Sequence, residues 1–388
     1  MSRWIPGLVL AVVLVGAGAG IVVWRSTSAA AGGEPVITVS RSSCGEGWTD
    51  PRPGAQTFQL HNTDAITAEV DLIDPATGTV FGEVEGIGSG TTRTMQVELG
   101  NGSYAFRCAL EETDPITGPS ATVTGGTERS GPAVVPVTRN DLLGPLRDYK
   151  TYVGTGLDSL IADTDALQNT VHAQDRAGAE RAWLTAHLAY ERLGAAYDAF
   201  GDSDGAINGT ADGLPGGTTD PGFTGFHRLE NGLWHNEDMP ALAAVADRLD
   251  ADVHTLRDGF DDLQVDPNDL GLRAHEIMEN TLQFELTGRA DYGSGTGLAT
   301  ALANLDGTRA VLNVLRPLLT PRLPQLSDVD NWIDRTDRAL RAAQRPDGSW
   351  TPVMLLTREQ HEKIDGDVSG LVERLAPVAA ITEPRRVS

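Results

Sequence analysis

Residues 190–235 read YERLGAAYDAFGDSDGAINGTADGLPGGTTDPGFTGFHRLENGLWH, and three regimes meet there. On the approach, Trp183, Ala186, Tyr190, Leu193, Tyr197 and Phe200 recur at three- and four-residue intervals, one face of an α-helix. Glycine and aspartate then crowd residues 201–222, a composition that argues against any helix crossing it. Helical signal resumes near Gly225, with His227 three residues before Glu230. A helix turns about 100° per residue, so side chains three or four apart share a face and these two can reach one cation together. Neutral imidazole with carboxylate suits iron, zinc or manganese better than calcium, which prefers oxygen alone.

Working outward, the helical period holds from Asn140 to about Ile381. Helices are expected over about 140–172, 175–200, 240–263, 268–287, 298–318, 328–344 and 358–379, with Pro240 in the first turn of the third. Thr357 followed by Gln360 has the form of a capping box for the last. So many helices with short joins imply an all-α bundle. Residues 36–126 differ: short alternating runs such as AQTFQLHN, TAEVDLID, TRTMQVEL and SYAFRCAL, broken by Gly, Pro, Asn and Asp, predict a small all-β sandwich or barrel. Residues 127–139 have the Pro and Gly content of a linker.

The N-terminus speaks to location. Residues 4–24, WIPGLVLAVVLVGAGAGIVVW, hold no charge, and about 20 apolar residues at about 1.5 Å each span a bilayer core. Trp4 and Trp24 mark its two ends. The stretch reads first as an uncleaved membrane anchor, with Ala29-Ala30-Ala31 as the alternative, a signal cleavage site within residues 1–31. Either reading exports the chain from about residue 32 onward. The 388 residues carry 54 acidic and 30 basic side chains, a net charge of −24, which repels nucleic acid and attracts cations.

Cys44 and Cys108 both fall in the β region, and an even count in an exported chain predicts a disulfide. The competing use is copper. A blue-copper centre needs histidine and usually methionine beside the cysteine, yet the run after Cys108 has neither and His61 is the only histidine in the region. A weaker metal contact through Cys44, Cys108 or Glu111 stays open.

Further ligand candidates flank the His–Glu pair. Glu191 lies on the helix before the acidic loop, Asp202 and Asp204 lie in it, and bundles build metal sites from such inward acids. His187, four residues before Glu191, shares its face. The run AHEIMEN places His275, Glu276 and Glu279 on one helix, but a zinc protease of the H-E-x-x-H kind needs histidine where Glu279 stands.

With these residues in view, YERLGAAYDAFGDSDGAI, FTGFHRLENGLW and NLDGTRAVLNVLRPLL resemble the imelysin-like domain of bacterial extracytoplasmic iron-uptake proteins of the EfeO type. That family's signature is G-x-H-x-x-E, matched by Gly225, His227 and Glu230. The resemblance spans nearly all of 140–380 and extends forward, since such proteins often carry a cupredoxin-like domain with two cysteines. It implies a non-enzymatic, extracytoplasmic iron-binding protein, with copper or zinc as rival occupants. It also implies a membrane iron permease as partner and a dye-decolourising haem peroxidase as companion. Two departures stand out: Gly295 and Gly297 replace the histidine and aspartate of a common S-H-T-D element, and Asn208 stands where aspartate is common. Two other functions compete, a metal-dependent peptidase of imelysin type and a surface module that binds polysaccharide through a bridging metal.

Overall fold

The computed structural model describes residues 34–111, 113–129 and 134–385, so the apolar segment 4–24 lies outside the described residues. Among the described residues no helix is long and apolar enough to cross a membrane.

Among the described residues nine strands come first: β1 (Val36–Val39), β2 (Cys44–Glu46), β3 (Gly54–Asn62), β4 (Ala68–Ile73), β5 (Val80–Ile87), β6 (Thr92–Leu99), β7 (Gly102–Leu110), β8 (Ile116–Thr117) and β9 (Ala121–Val123). One sheet runs β2-β1-β3-β6 and the other β5-β4-β7-β8, with β9 also on β7. Alternation decides which side chains face inward. Along β3, Phe58 and Leu60 are buried while Thr57, Gln59 and His61 lean outward, and β6 opposes them with Met95 and Val97. Trp48, Phe58 and Phe106 meet edge to face with centroids 5.1–5.5 Å apart. The expected disulfide is present: Cys44 on β2 is bonded to Cys108 on β7, tying the two sheets together. With the sulfurs joined, neither cysteine offers a thiolate to copper.

Ten helices complete the described residues: α1 (Arg139–His172), α2 (Arg176–Glu191), α3 (Tyr197–Phe200), α4 (Asp202–Asn208), α5 (Gly225–Trp234), α6 (Met239–Gly259), α7 (Asp269–Asn280), α8 (Gly297–Leu319), α9 (Leu326–Arg341) and α10 (Arg358–Thr382). The capping box of Thr357 and Gln360 forms on α10. Tyr149, Trp183, Tyr190, Phe226 and Phe260 fill the core.

Two expectations need correction. The helix expected over 175–200 stops at Glu191, because the Tyr190 carbonyl that should sustain it accepts instead from Leu193 N and from the Tyr197 hydroxyl, at 2.8 and 3.1 Å. Conversely, the Gly/Asp-rich stretch does hold a helix, α4. Asp202 and Asp204 stand in its first turn, where the backbone's positive end favours carboxylates, and buried Ile207 anchors it.

The segment expected as a linker is bonded on both flanks. Val134 pairs with Val80 of the sandwich, while Arg322 donates to the carbonyls of Val135 and Pro136. The C-terminal tail returns so that Arg385 N donates to Val137 O and its guanidinium grips Glu83 on β5.

Candidate metal centre

Two His–Glu pairs meet at the end of the α2–α5 contact. On α2, His187 and Glu191 are four residues apart; on α5, His227 and Glu230 are three apart, and all four side chains are buried. The imidazole rings cross edge to face, with centroids 5.4 Å apart. Trp183 supports both helices: its ring stacks on His187 and its indole N–H donates to Phe226 O at 2.9 Å.

Gly225 makes this approach possible. Its φ is +74°, and a Cβ there would fall 2.1 Å from Ile207 O, so only glycine lets α5 start against the end of α4.

The pairs are used in opposite ways. In the α5 pair, Glu230 Oε2 lies 3.3 Å from His227 Nδ1, while Oε1 accepts the backbone N–H groups of Tyr292 and Ser294, each at 3.1 Å. The carboxylate is thus engaged behind the ring, and Nε2, unpartnered among the described residues, is the nitrogen left for a ligand. A carboxylate behind an imidazole is a common means of fixing tautomer and orientation at metal sites. In the α2 pair the carboxylate is in front. Glu191 lines a cavity of about 270 Å³ together with His227, Asp204, Asn208, Glu285 and Asn304. His187 Nε2 lies 3.1 Å from Glu191 Oε1 without the alignment of a hydrogen bond, and both its nitrogens are otherwise unpartnered.

The acidic loop divides. Asp204 faces the cavity and its Oδ1 accepts from the Tyr190 hydroxyl at 2.6 Å. Asp202, two residues back, is exposed and not among the lining residues. Asn208 donates to Glu191 Oε1 at 2.7 Å and keeps a buried, unpartnered Oδ1. Glu285 joins from a π-helical turn, Thr281–Glu285, after α7. Sequence reading missed it: a lone glutamate inside an expected helix over 268–287 carries no local signal, and π turns gather at functional sites for reasons that pattern does not show.

Charge in the cavity is one-sided, for among the described residues no lysine or arginine lines it. Burial pushes the Glu191 carboxyl up, but His187, Asn208 and His227 outweigh burial and hold it below the ordinary range. Glu230 is likewise held low, against burial, by His227 and the Ser294 contact. Burial, reinforced by Glu191, pushes Asp204 to about 6 despite the Tyr190 hydrogen bond. Glu285 is driven well above the carboxylate range by burial and then by Glu191, Glu230 and Asp291. A cation entering the cavity would compete with the protons that burial raises Asp204 and Glu285 to hold.

The departure at Gly297 bears on this wall. A Cβ there would lie 3.2 Å from Glu285 O and 3.6 Å from Glu285 Oε2, so an acid at 297 would stand beside Glu285 and is missing here. A larger cavity, about 590 Å³, opens between residues 218–225 and α6, but Arg228 and Arg248 balance Asp220 and Glu237 and leave nothing suited to a cation. His275 and Glu279, 3.7 Å apart on α7, are not among the lining residues of the smaller cavity.

With this geometry in hand, the relatives are informative. The model of the imelysin (peptidase M75) family matches residues 145–378. The iron uptake system component EfeO of Yersinia pestis is 28% identical over 346 residues, covering 89% of this chain and 90% of its own. Its counterpart in Escherichia coli O157:H7 is 27% identical with the same coverage. An alignment of 346 residues is longer than the helical part, so the likeness takes in the β sandwich as well. The chain therefore belongs to the imelysin family and is of the EfeO type.

Proposed function

We propose that this protein captures iron outside the cytoplasm and passes it to a membrane permease. The observation that carries the reading is the cavity itself: Glu191, Asp204, Glu285 and His227 line it with no lysine or arginine among the lining residues, in a chain whose relatives are named iron uptake components. The His227 ring and the Glu191 carboxylate supply a mixed nitrogen and oxygen set suited to iron, and Asp204 and Glu285 supply further oxygen once deprotonated. Iron is cargo here, so weak preassembly is an advantage. The donors are not drawn into one tight cluster, and a cation must pull them inward to bind and relax them to leave. Copper and zinc fit the same donor set, and selectivity follows from availability as well as affinity. The Cys44–Cys108 disulfide supports an oxidising, extracytoplasmic setting. Residues 4–24 would hold the chain at the membrane beside the permease, and a haem peroxidase of the dye-decolourising type is the companion the family suggests.

Iron titration of the exported chain, aerobic with Fe(III) and anaerobic with Fe(II), tests this. H227A and E191Q should each lower iron affinity at least 10-fold, about 1.4 kcal/mol. E230Q should keep the fold and cost a similar factor by freeing the imidazole it holds. Parent-like iron binding by both H227A and E191Q would remove the site. The peptidase reading makes a separate claim, metal-dependent cleavage of peptides by purified protein; no such cleavage is expected.

A further inference from the structure

The clefts of the helical domain differ in how their arginines are matched. Along the 218–225 cavity Arg228 and Arg248 share the wall with Asp220 and Glu237. A cleft of about 260 Å³ between α8 and α9 sets Arg309 and Arg316 against Asp330 and Asp334. A third, of about 360 Å³, opens where the end of α9 meets the start of α10, and it is not balanced. Arg335, Arg338, Lys363 and Gln360 form its polar wall, and no acid is among the lining residues.

Local structure explains both the space and the charge. The two helices run antiparallel, Asp328 of α9 meeting Arg374 of α10 at one level and Arg335 meeting Asp367 at another. Ala339, Ala342 and Ala343 follow Arg335 at the spacing of one helical face, and their methyl groups leave room above Ile364 that longer side chains would fill. Asp367, its side chain 2% exposed, accepts from Arg335 Nε and from Lys363 Nζ, each at 2.6 Å. One buried carboxylate thus fixes two cations beside the cleft and neutralises one of them. Both cations are about half exposed, so their outer N–H groups stay accessible. Arg338 is exposed, and among the described residues no carboxylate lies within ion-pair distance of its guanidinium. Three cations against one acid leave two positive charges here, in a chain whose net charge is −24.

We infer that this cleft binds a small organic polycarboxylate. The guanidinium groups offer planar pairs of N–H donors that match a carboxylate, and Lys363 adds a point charge beside them. The floor of alanine and isoleucine favours a ligand with a carbon body over a bare phosphate, and the volume falls in the range of small-ligand sites, about 300–1,000 Å³. Repulsion from the acidic surface is screened beyond about 8 Å at physiological salt, whereas the cations of the cleft act at contact.

Citrate is the probe. Titrated by calorimetry into the metal-stripped full chain at low ionic strength, it should bind at one site with a dissociation constant below about 1 mM, and added salt should weaken it. R338A removes a cation that holds no partner, so it should weaken citrate at least about 10-fold and leave the thermal melt unchanged. R93A makes the same change of charge at an exposed position on β6 and should leave citrate binding as it is. E191Q, in the candidate metal cavity, should also leave it as it is, which separates this site from the iron reading. Inorganic phosphate should compete at least about 10-fold more weakly than citrate. The inference fails if citrate does not bind at millimolar concentration, if R338A binds it as the parent does, if R93A or E191Q weakens it as much as R338A, or if phosphate competes equally.

Discussion

The β sandwich and the helical cavity both bury acid, and they treat it differently. In the sandwich two carboxylates meet guanidinium groups: Arg107 reaches Asp71 at 2.6 Å and Arg385 reaches Glu83 at 2.7 Å. In the cavity Glu191, Asp204 and Glu285 meet imidazoles, a tyrosine hydroxyl, an asparagine and one another. A guanidinium stays charged at any accessible pH and neutralises its partner permanently. Protons and imidazoles can be exchanged for a cation.

Breaking an architectural pair should have the largest effect. R107L leaves the 1%-exposed Asp71 carboxylate alone in the sandwich and should cost about 3–5 kcal/mol in denaturant unfolding, with iron affinity unchanged. Equal loss of iron binding would mean that the two regions are coupled. Next is E285Q, which keeps the shape but removes an anionic ligand; iron affinity should drop about 10-fold while metal-free stability at pH 8 rises.

Asp204 predicts how the cavity responds to pH. Its carboxyl is raised in the fold to about 6 from the ordinary 3.8, so the folded chain holds this proton more tightly than the unfolded one. The resulting stability is complete below about pH 4 and is lost as pH rises through about 6. D204N should therefore stabilise the metal-free protein at pH 8 and not at pH 4, and iron should restore the parent at pH 8. A melt difference independent of pH would contradict this.

Glu69 tests the same sign in the sandwich. Burial, then Asp71, Glu83 and Glu85, raises it to about 7, so E69Q should help above pH 7 and be neutral near pH 4. Solvent screening keeps that gain below about 1 kcal/mol. Smallest is H172A, which breaks an exposed pair with Asp247 and should move stability by no more than about 0.5 kcal/mol.

Composition and period alone determined the two-part architecture, the disulfide and the His–Glu motif, because each is a local or countable property. Alternation with turn residues marks strands, three- and four-residue spacing marks helices, and two cysteines in an exported chain have one obvious use. The acidic loop, by contrast, was legible as chemistry and not as structure: Asp204 and Asp202 are equivalent in sequence, and only the direction of α4 sends one into the cavity and the other to solvent. Glu230 was legible as a partner of His227, but its place behind the ring depends on the N–H groups of Tyr292 and Ser294, more than sixty residues away. Glu285 has no sequence signal, since its place depends on the π-helical turn after α7 and on what packs around it. Local pattern sets which surfaces a segment presents; the packing of distant segments decides which donors share one space, and a cation responds only to the second.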